Sequence, residues 1–182
     1  MHVKAPHMNR IRPFVRRVLA WYVDNGRAFP WREDGVSLYH LIVTELLLQR
    51  TRAETVSRYF EFFFQKYPDW ESISEASVEQ LESDLRPLGL YKQRAPRIQS
   101  FASGVVLKGG KFPTTLEKAQ ELTGAGQYVS HSILLFQRID DLPLLDSGMA
   151  RVLERYFGAR ALADIRFDPY LQSLARRVVA VD

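Results

Sequence analysis

Apolar positions recur at helical spacing along nearly the whole chain. Ile11, Phe14, Val15, Val18, Leu19, Tyr22 and Val23 follow the i, i+3, i+4, i+7 pattern of one helix face, and Asn25 with Gly26 stops the run. Ser37 to Arg50 reads as a helix that is apolar on most sides, and such a helix belongs in a core. Thr55 to Tyr67 predicts an aromatic-rich helix ended by Pro68. A capping-box run from Ser77 to Gln80 starts another. Pro96 to Leu107 carries Ile98, Phe101, Ala102, Val105 and Val106 before Gly109 and Gly110 end it. A second box, Thr114 to Glu117, opens a helix reaching Leu122, and a glycine-rich hairpin then feeds the next helix. Ser147 to Phe157 is helical up to Gly158, and Asp168 with Pro169 opens the last helix. No strand pattern, internal repeat or low-complexity tract interrupts this reading, which is all-α with short connections. The last helix carries an apolar stripe of Leu171, Leu174, Ala175, Val178 and Val179 that needs a partner. Either the N-terminal helix covers it, making one lobe of the two chain ends, or a further helix does.

At 182 residues and 46% hydrophobic content the chain can build one domain with a real core, or two small lobes. No apolar run approaches the roughly 20 residues a membrane helix needs, and the basic start lacks the apolar stretch of a secretory signal. The expectation is a cytoplasmic protein. The absence of cysteine excludes disulfides, cysteine nucleophiles and thiolate-held clusters. A net charge of +4 admits a polyanionic partner without demanding one.

Three stretches could carry chemistry. In "LTGAGQY", Leu122 to Tyr128, glycines two apart between helices let backbone N–H groups approach an anion, and the next helix start adds a favourable dipole. Taken alone, such a stretch is more often a plain turn between helices. Asp146, in "LLDSGMARV", reads as a helix N-cap or as a carboxylate facing a cleft. Glu45 interrupts the apolar "VTELLLQRT"; buried, it would have a raised pKa suited to a general acid, while on a wetter face it would simply be a solvated or paired carboxylate. Together, one neutral and one ionised carboxylate are equipment for breaking a glycosidic bond through an oxocarbenium-like state.

These motifs resemble the helix-hairpin-helix (HhH-GPD) DNA glycosylases of the endonuclease III/MutY branch, from about Phe14 to Val181. "NGRAFPWR" resembles the MutY-branch signature, "VTELLLQRT" the catalytic-glutamate helix, "LGLYKQRAPRI" the DNA-wedge loop, "LTGAGQY" the hairpin and "LLDSGMARVLERYFG" the catalytic-aspartate segment. The resemblance implies two lobes around a central DNA-binding cleft. Residues 36–148 would form a six-helix barrel lobe containing the hairpin. Residues 9–35 and 149–182 would form a terminal lobe that could be incomplete, leaving its last helix for a protein partner to cover. It implies that Asp146 stabilises the oxocarbenium ion and orients water, and that Glu45 protonates or hydrogen-bonds the leaving base. Tyr128 would stand where bifunctional relatives have a Schiff-base lysine, so base release without strand cleavage is expected. Gln49, Arg50, Leu90, Gly124, Gly126, Gln127 and Arg32 would contact DNA, with Arg50 and Leu90 filling or wedging the stack as the base flips.

The partner would be double-stranded DNA with a mismatched base: thymine or uracil opposite guanine, or adenine opposite guanine or 8-oxoguanine. The motifs lean slightly to the thymine glycosylases. No metal or iron–sulfur cluster is expected, a monovalent cation at the hairpin being the one candidate ion, and the enzyme would be nucleoid-associated. Gly148 replaces the family's usual asparagine beside the aspartate. The rival expectation is therefore a catalytically impaired module of the same fold that recognises distorted DNA.

Overall fold

The structure, a computed structural model, describes residues 8–181 and is helical, with no strand among those residues. Residues 1–7 and Asp182, the last of the expected terminal lobe, lie outside the described residues. The helices are α1 (Met8–Asn25), α2 (Leu38–Leu48), α3 (Ala53–Lys66), α4 (Trp70–Glu75), α5 (Val78–Leu85), α6 (Tyr91–Val106), α7 (Leu116–Gln120), α8 (Gln127–Phe136), α9 (Ser147–Phe157) and α10 (Pro169–Val179). Short 3₁₀ turns cover Pro30–Arg32 and Arg86–Leu88.

The chain divides into a unit of residues 28–139 and a terminal unit made from both chain ends. These boundaries differ from the expected 36–148. Phe29 stacks on Trp31, with centroids 4.6 Å apart, and both join the core of the 28–139 unit, which draws the first boundary back. Leu145 packs with the terminal core, which draws the second back and puts Asp146 in the terminal unit.

In the 28–139 unit, α2 packs against both α3 and α8, and Ile42, Val43, Leu46 and Leu47 are buried, so the helix that is apolar on most sides is an inner one. The aromatic run of α3 supplies Phe63 and Phe64 to the same core. The helix α4 was not legible from apolar spacing. Its Asp69 cap and Ser72 side chain close a reciprocal box, and Trp70 then meets Tyr39, Phe101 and Phe112 with ring centroids 4.8, 5.5 and 5.6 Å away. With α4 included, this unit holds seven α-helices rather than six.

The Asp84 carboxylate joins α3 to α5, accepting from Lys66 Nζ at 2.9 Å, Tyr67 OH at 2.6 Å and Gln80 Nε2 at 3.0 Å. The helix α6 begins at Tyr91 and runs through Pro96, which forfeits one intrahelical bond. Burial of Arg94, Ala95 and Ile98 on both sides of the proline keeps it continuous. The cap of α7 is Thr115, whose side chain accepts from Lys118 N–H at 3.4 Å, one residue later than its sequence suggests.

In the terminal unit, α10 packs on α1 and α9. Leu171, Leu174 and Ala175 meet Ile11, Phe14, Leu153 and Phe157, so α1 and α9 together cover the first part of the last stripe, while Val178 and Val179 are half-buried. The apolar face expected along all of α1 is buried only at its start. Val18, Leu19, Tyr22 and Val23 are exposed, as is Trp21, because the burial on α1 ends with the first turns.

Asp168 is the buried polar anchor of this unit. Its Oδ1 accepts from Leu171 N–H at 2.7 Å, and its Oδ2 accepts from Ala161 and Leu162 N–H at 2.8 and 2.7 Å. Burial pushes this carboxyl's pKa up, but the three N–H bonds outweigh it and hold the pKa below the ordinary value. Because the folded pKa is depressed, the stabilisation is complete above the unfolded value of about 4 and is lost as pH falls through the lower folded value. Asp168→Ala should cost about 2–4 kcal/mol near neutral pH by urea denaturation, from the lost cap and stranded N–H groups. That cost should shrink on acidification; a difference that is constant down to strongly acidic pH would mean the carboxylate charge contributes nothing.

Candidate functional site

Two loops of the 28–139 unit meet at one pocket, and each contains a non-glycine residue in the left-handed region. After α2 the chain makes a turn closed by Thr51 N–H to Leu48 O at 3.1 Å. Gln49 (φ −56°, ψ 111°) and Arg50 (φ 57°) occupy its centre, a type II geometry that favours glycine where Arg50 stands. After the second 3₁₀ turn, Gly89 (φ 73°) and Leu90 (φ 52°) lead into α6. Each left-handed L-residue costs roughly 1 kcal/mol. The other such residue among those described, Arg138 (φ 56°), has a local explanation. Its N–H reaches Leu135 O at 2.9 Å and that of Ile139 reaches Leu134 O at 3.0 Å, the paired bonds of a Schellman helix end. Arg50 and Leu90 have no such motif, and strain of this kind gathers at functional positions.

The pocket is about 340 Å³, and its lining includes Gln49, Arg50, Leu90, Arg94, Arg97 and Gly124. Four expected DNA contacts, Gln49, Arg50, Leu90 and Gly124, are thus brought together. Arg94 and Arg97 were missed, although both lie in "LGLYKQRAPRI". Their i, i+3 spacing on one helix face, with Leu90 four residues before Arg94, was the available signal.

The side chain of Arg94 is buried, and its hydrogen bonds to the described residues all end on neutral oxygens. Nη1 donates to Leu88 O at 3.2 Å and Gly89 O at 2.8 Å, and Nη2 donates to Gln49 O at 2.7 Å and Thr51 Oγ1 at 2.6 Å. Burial, and then the positive charge of Arg97, lower its pKa, yet a guanidinium keeps its proton. Among the described residues no carboxylate lines the pocket, so three arginines give it a positive field suited to an anion.

Gly124 sits at φ 83°, with the site of a Cβ 3.6 Å from Arg97 O. The conformation therefore requires glycine. Gly126 has ordinary φ and nothing within 4 Å of a Cβ position, so neither strain nor packing demands it. It is the N-cap of α8 and offers no side-chain cap, which leaves the helix start open to an approaching anion. Gln127 and Tyr128 form the first turn of α8, both half-buried, with Tyr128 packed against the core.

Glu45 lies one turn before Gln49 on α2 and does not line the pocket. It is half-buried, the wetter of the two settings the sequence left open, because its side of α2 is the less buried one. Arg32 is exposed, with its guanidinium 5.4 Å from the Phe29 ring centroid, and does not line the pocket either.

In the terminal unit, Asp146 caps α9 and is exposed. Its Oδ1 accepts from Met149 N–H at 2.7 Å. A Cβ at Gly148 would stand 3.2 Å from that oxygen and 3.6 Å from Oδ2, so any side chain there must displace the carboxylate slightly. The glycine leaves this face of Asp146 open.

Among the described residues, no group of three or more His, Cys, Asp or Glu could hold a metal ion, and no helix is long and apolar enough to cross a membrane.

Residues 43–177 match the family model of the HhH-GPD superfamily base excision DNA repair proteins. Over 176 residues the chain is 35% identical to a thymine-DNA glycosylase of Aeropyrum pernix, covering 95% of this chain and 78% of that one. Over 146 residues it is 31% identical to a thymine/uracil-DNA glycosylase of Methanothermobacter thermautotrophicus, covering 80% of this chain and 66% of the relative. The solved structure of a thermostable thymine-DNA glycosylase superposes with a TM-score of 0.84 at 28% identity, covering 93% of this chain and 78% of that one.

The strain at the pocket is measurable without any ligand. Arg50→Gly and Leu90→Gly should each hold or raise stability, by up to about 1 kcal/mol, because relief of the left-handed strain offsets glycine's entropy. Gly124→Ala should lose about 1 kcal/mol or more for the converse reason. Urea denaturation of the whole chain reads all three. A large loss at position 50 or 90 would mean that packing, rather than presentation, fixes those side chains.

Proposed function

From a chain that belongs to the HhH-GPD superfamily of base excision DNA repair proteins, we infer a monofunctional DNA glycosylase that removes a mismatched base from duplex DNA, thymine or uracil opposite guanine before adenine. The observation that carries this reading is the convergence of Arg50 and Leu90, both held in strained conformations, on a pocket lined by three arginines. A base in a duplex is out of reach of side chains, so it must leave the stack, at a cost of a few kcal/mol that is least at a mismatch. A leucine and an arginine presented on rigid turns can occupy the vacated space. The positive pocket and the open start of α8 suit the phosphates on either side.

The chemistry follows from the carboxylates. The C1′–N bond breaks with its electrons leaving on the base, and positive charge develops on the sugar. The Asp146 carboxylate faces that charge through Oδ2, while Oδ1 stays committed to Met149 N–H. Water adds at C1′, and its proton passes through solvent to the departed base or restores the Glu45 acid that protonated it, leaving an abasic sugar and a neutral free base. Glu45 serves the leaving base, as proton donor to a purine or as hydrogen-bond partner to thymine. Tyr128 brings no amine, so no Schiff base forms and the strand stays intact. None of the 182 residues is a cysteine, so none of the residues placed in this site could ligate an iron–sulfur cluster. The thymine and thymine/uracil glycosylases among its relatives support the preference for a pyrimidine opposite guanine.

Single-turnover base release on G·T, G·U, G·A and 8-oxoguanine·A duplexes, each read after hot alkali, tests the reading. Alkali-dependent cleavage is expected first at G·T or G·U. Asp146→Asn should slow it by roughly a hundredfold or more while binding persists. Borohydride should trap no protein–DNA adduct, and a trapped adduct would make the enzyme bifunctional. Binding with no release from any duplex would instead support an impaired DNA-binding module.

A further inference from the structure

We propose that Arg94 is a positioning residue: its guanidinium locks the Arg50 turn and the Leu90 corner into one rigid wedge, and base extrusion depends on that lock. The proposal rests on the glycosylase reading for its consequence but not for its geometry.

The geometry is specific. Arg50 is flanked by Gln49 and Thr51, and Arg94 Nη2 binds the carbonyl of the first at 2.7 Å and the hydroxyl of the second at 2.6 Å. Leu90 is preceded by Leu88 and Gly89, and Arg94 Nη1 binds both carbonyls, at 3.2 and 2.8 Å. The Arg94 backbone N–H holds the carbonyl of Leu90 itself at 2.9 Å, and Thr51 Oγ1 donates to Leu88 O at 3.3 Å, tying loop to loop. One planar fork therefore grips the chain on both sides of Arg50 and just before Leu90, the two left-handed positions that no helix-end motif explains.

Such residues persist only where their surroundings over-determine them, and here the surroundings are largely one side chain. Lysine could not substitute, since an ammonium is a point donor and cannot bridge both loops with paired, parallel bonds. Burial of this cation without a carboxylate is itself unfavourable, which argues that the fork serves something other than stability. Inserting a side chain into a base stack demands stiffness: a loop that yields returns the base to the helix.

The test uses the full chain with Arg94→Lys, Arg94→Met and Thr51→Val. Amide hydrogen exchange in the free protein comes first. Arg94→Met should speed exchange at residues 49–51 and 88–91 by about tenfold or more, with the core of α3 and α8 unchanged. Thr51→Val, the milder lesion if Arg94→Met folds poorly, should do so by a few-fold at both loops.

Flipping is read next, by fluorescence of 2-aminopurine placed beside a G·T mismatch and by single-turnover release. Both should fall about tenfold in Arg94→Met, while binding to fully paired duplex changes by less than about threefold. Arg94→Lys should not restore them. In a cycle with Leu90→Ala, the Arg94→Met effect should largely disappear, because both changes disable one wedge.

Unchanged exchange at either loop, full rescue by lysine, or multiplicative effects with Leu90→Ala would each overturn the proposal. The expected exchange pattern in a chain whose wild type releases no base would leave the lock standing and sink the glycosylase reading instead.

Discussion

A buried guanidinium with only neutral partners is the constraint on which the candidate site depends. Removing a charge from water costs several kcal/mol after relaxation, and a carboxylate nearby would offset that cost directly. Arg94 has four neutral acceptors instead, all backbone carbonyls or a hydroxyl from two loops distant in sequence. The favourable terms are charge-assisted hydrogen bonds, each worth more than a neutral one. The unfavourable terms are desolvation and the strain at Arg50 and Leu90. What the balance secures is a fixed pair of projecting side chains and an uncompensated positive field beside them. Both features suit a polyanion that arrives later and supplies the missing negative charge.

The remainder of the 28–139 unit explains why this arrangement can be afforded. The α2 and α6 helices, which end and begin at the two loops, are anchored in a well-filled core. Ile42, Val43 and Leu47 on α2, and Ala95, Ile98, Phe101 and Ala102 on α6, are almost fully buried. Aromatic contacts around Trp70 join α4, α6 and the start of α2. A loop strained by roughly 1 kcal/mol is tolerable when its supporting helix is anchored by several fully buried apolar side chains. The hairpin follows the same logic at lower cost: Gly124 takes the left-handed position without penalty and lies against Arg97.

Much of this was legible in the sequence, but unevenly. The inner position of α2 follows from apolar residues on nearly every side, and the Asp146, Asp168 and Ser77 caps follow from their side-chain chemistry. The α4 helix was missed because its six residues span too few turns for periodicity, and its box closes on Ser72 rather than on a glutamate or glutamine. Pro96 suggested a helix start because proline is favoured there and costly inside a helix; the burial around it overrode that preference. On α1, spacing defined the apolar face but could not say how far along it a partner reaches, and Val18 to Val23 stay exposed. The strained positions were illegible for a simpler reason. Sequence announces a left-handed residue through glycine or asparagine, and Arg50 and Leu90 are neither. Arg94 was hidden likewise, since an arginine on a helix reads as a solvated face until the loops that bury it are in place.

Asp146 shows why a structural reading and a catalytic one need not compete. Its sequence context fits an N-cap, and the cap is formed, through Oδ1 and Met149 N–H. A carboxylate has two oxygens, and a cap bond uses one. The bond fixes the carboxylate's direction at the positive end of the helix dipole. On the glycosylase reading, an oriented carboxylate on an exposed helix start suits a developing oxocarbenium ion, provided that nothing crowds the second oxygen. Gly148 meets that condition: a side chain there would come within 3.2 Å of the carboxylate, so the glycine keeps the space open. The replacement that, in sequence, counted against catalysis is compatible with it in three dimensions. On that reading the cap bond to Met149 N–H orients the aspartate, so the cap and the proposed chemistry share one anchor.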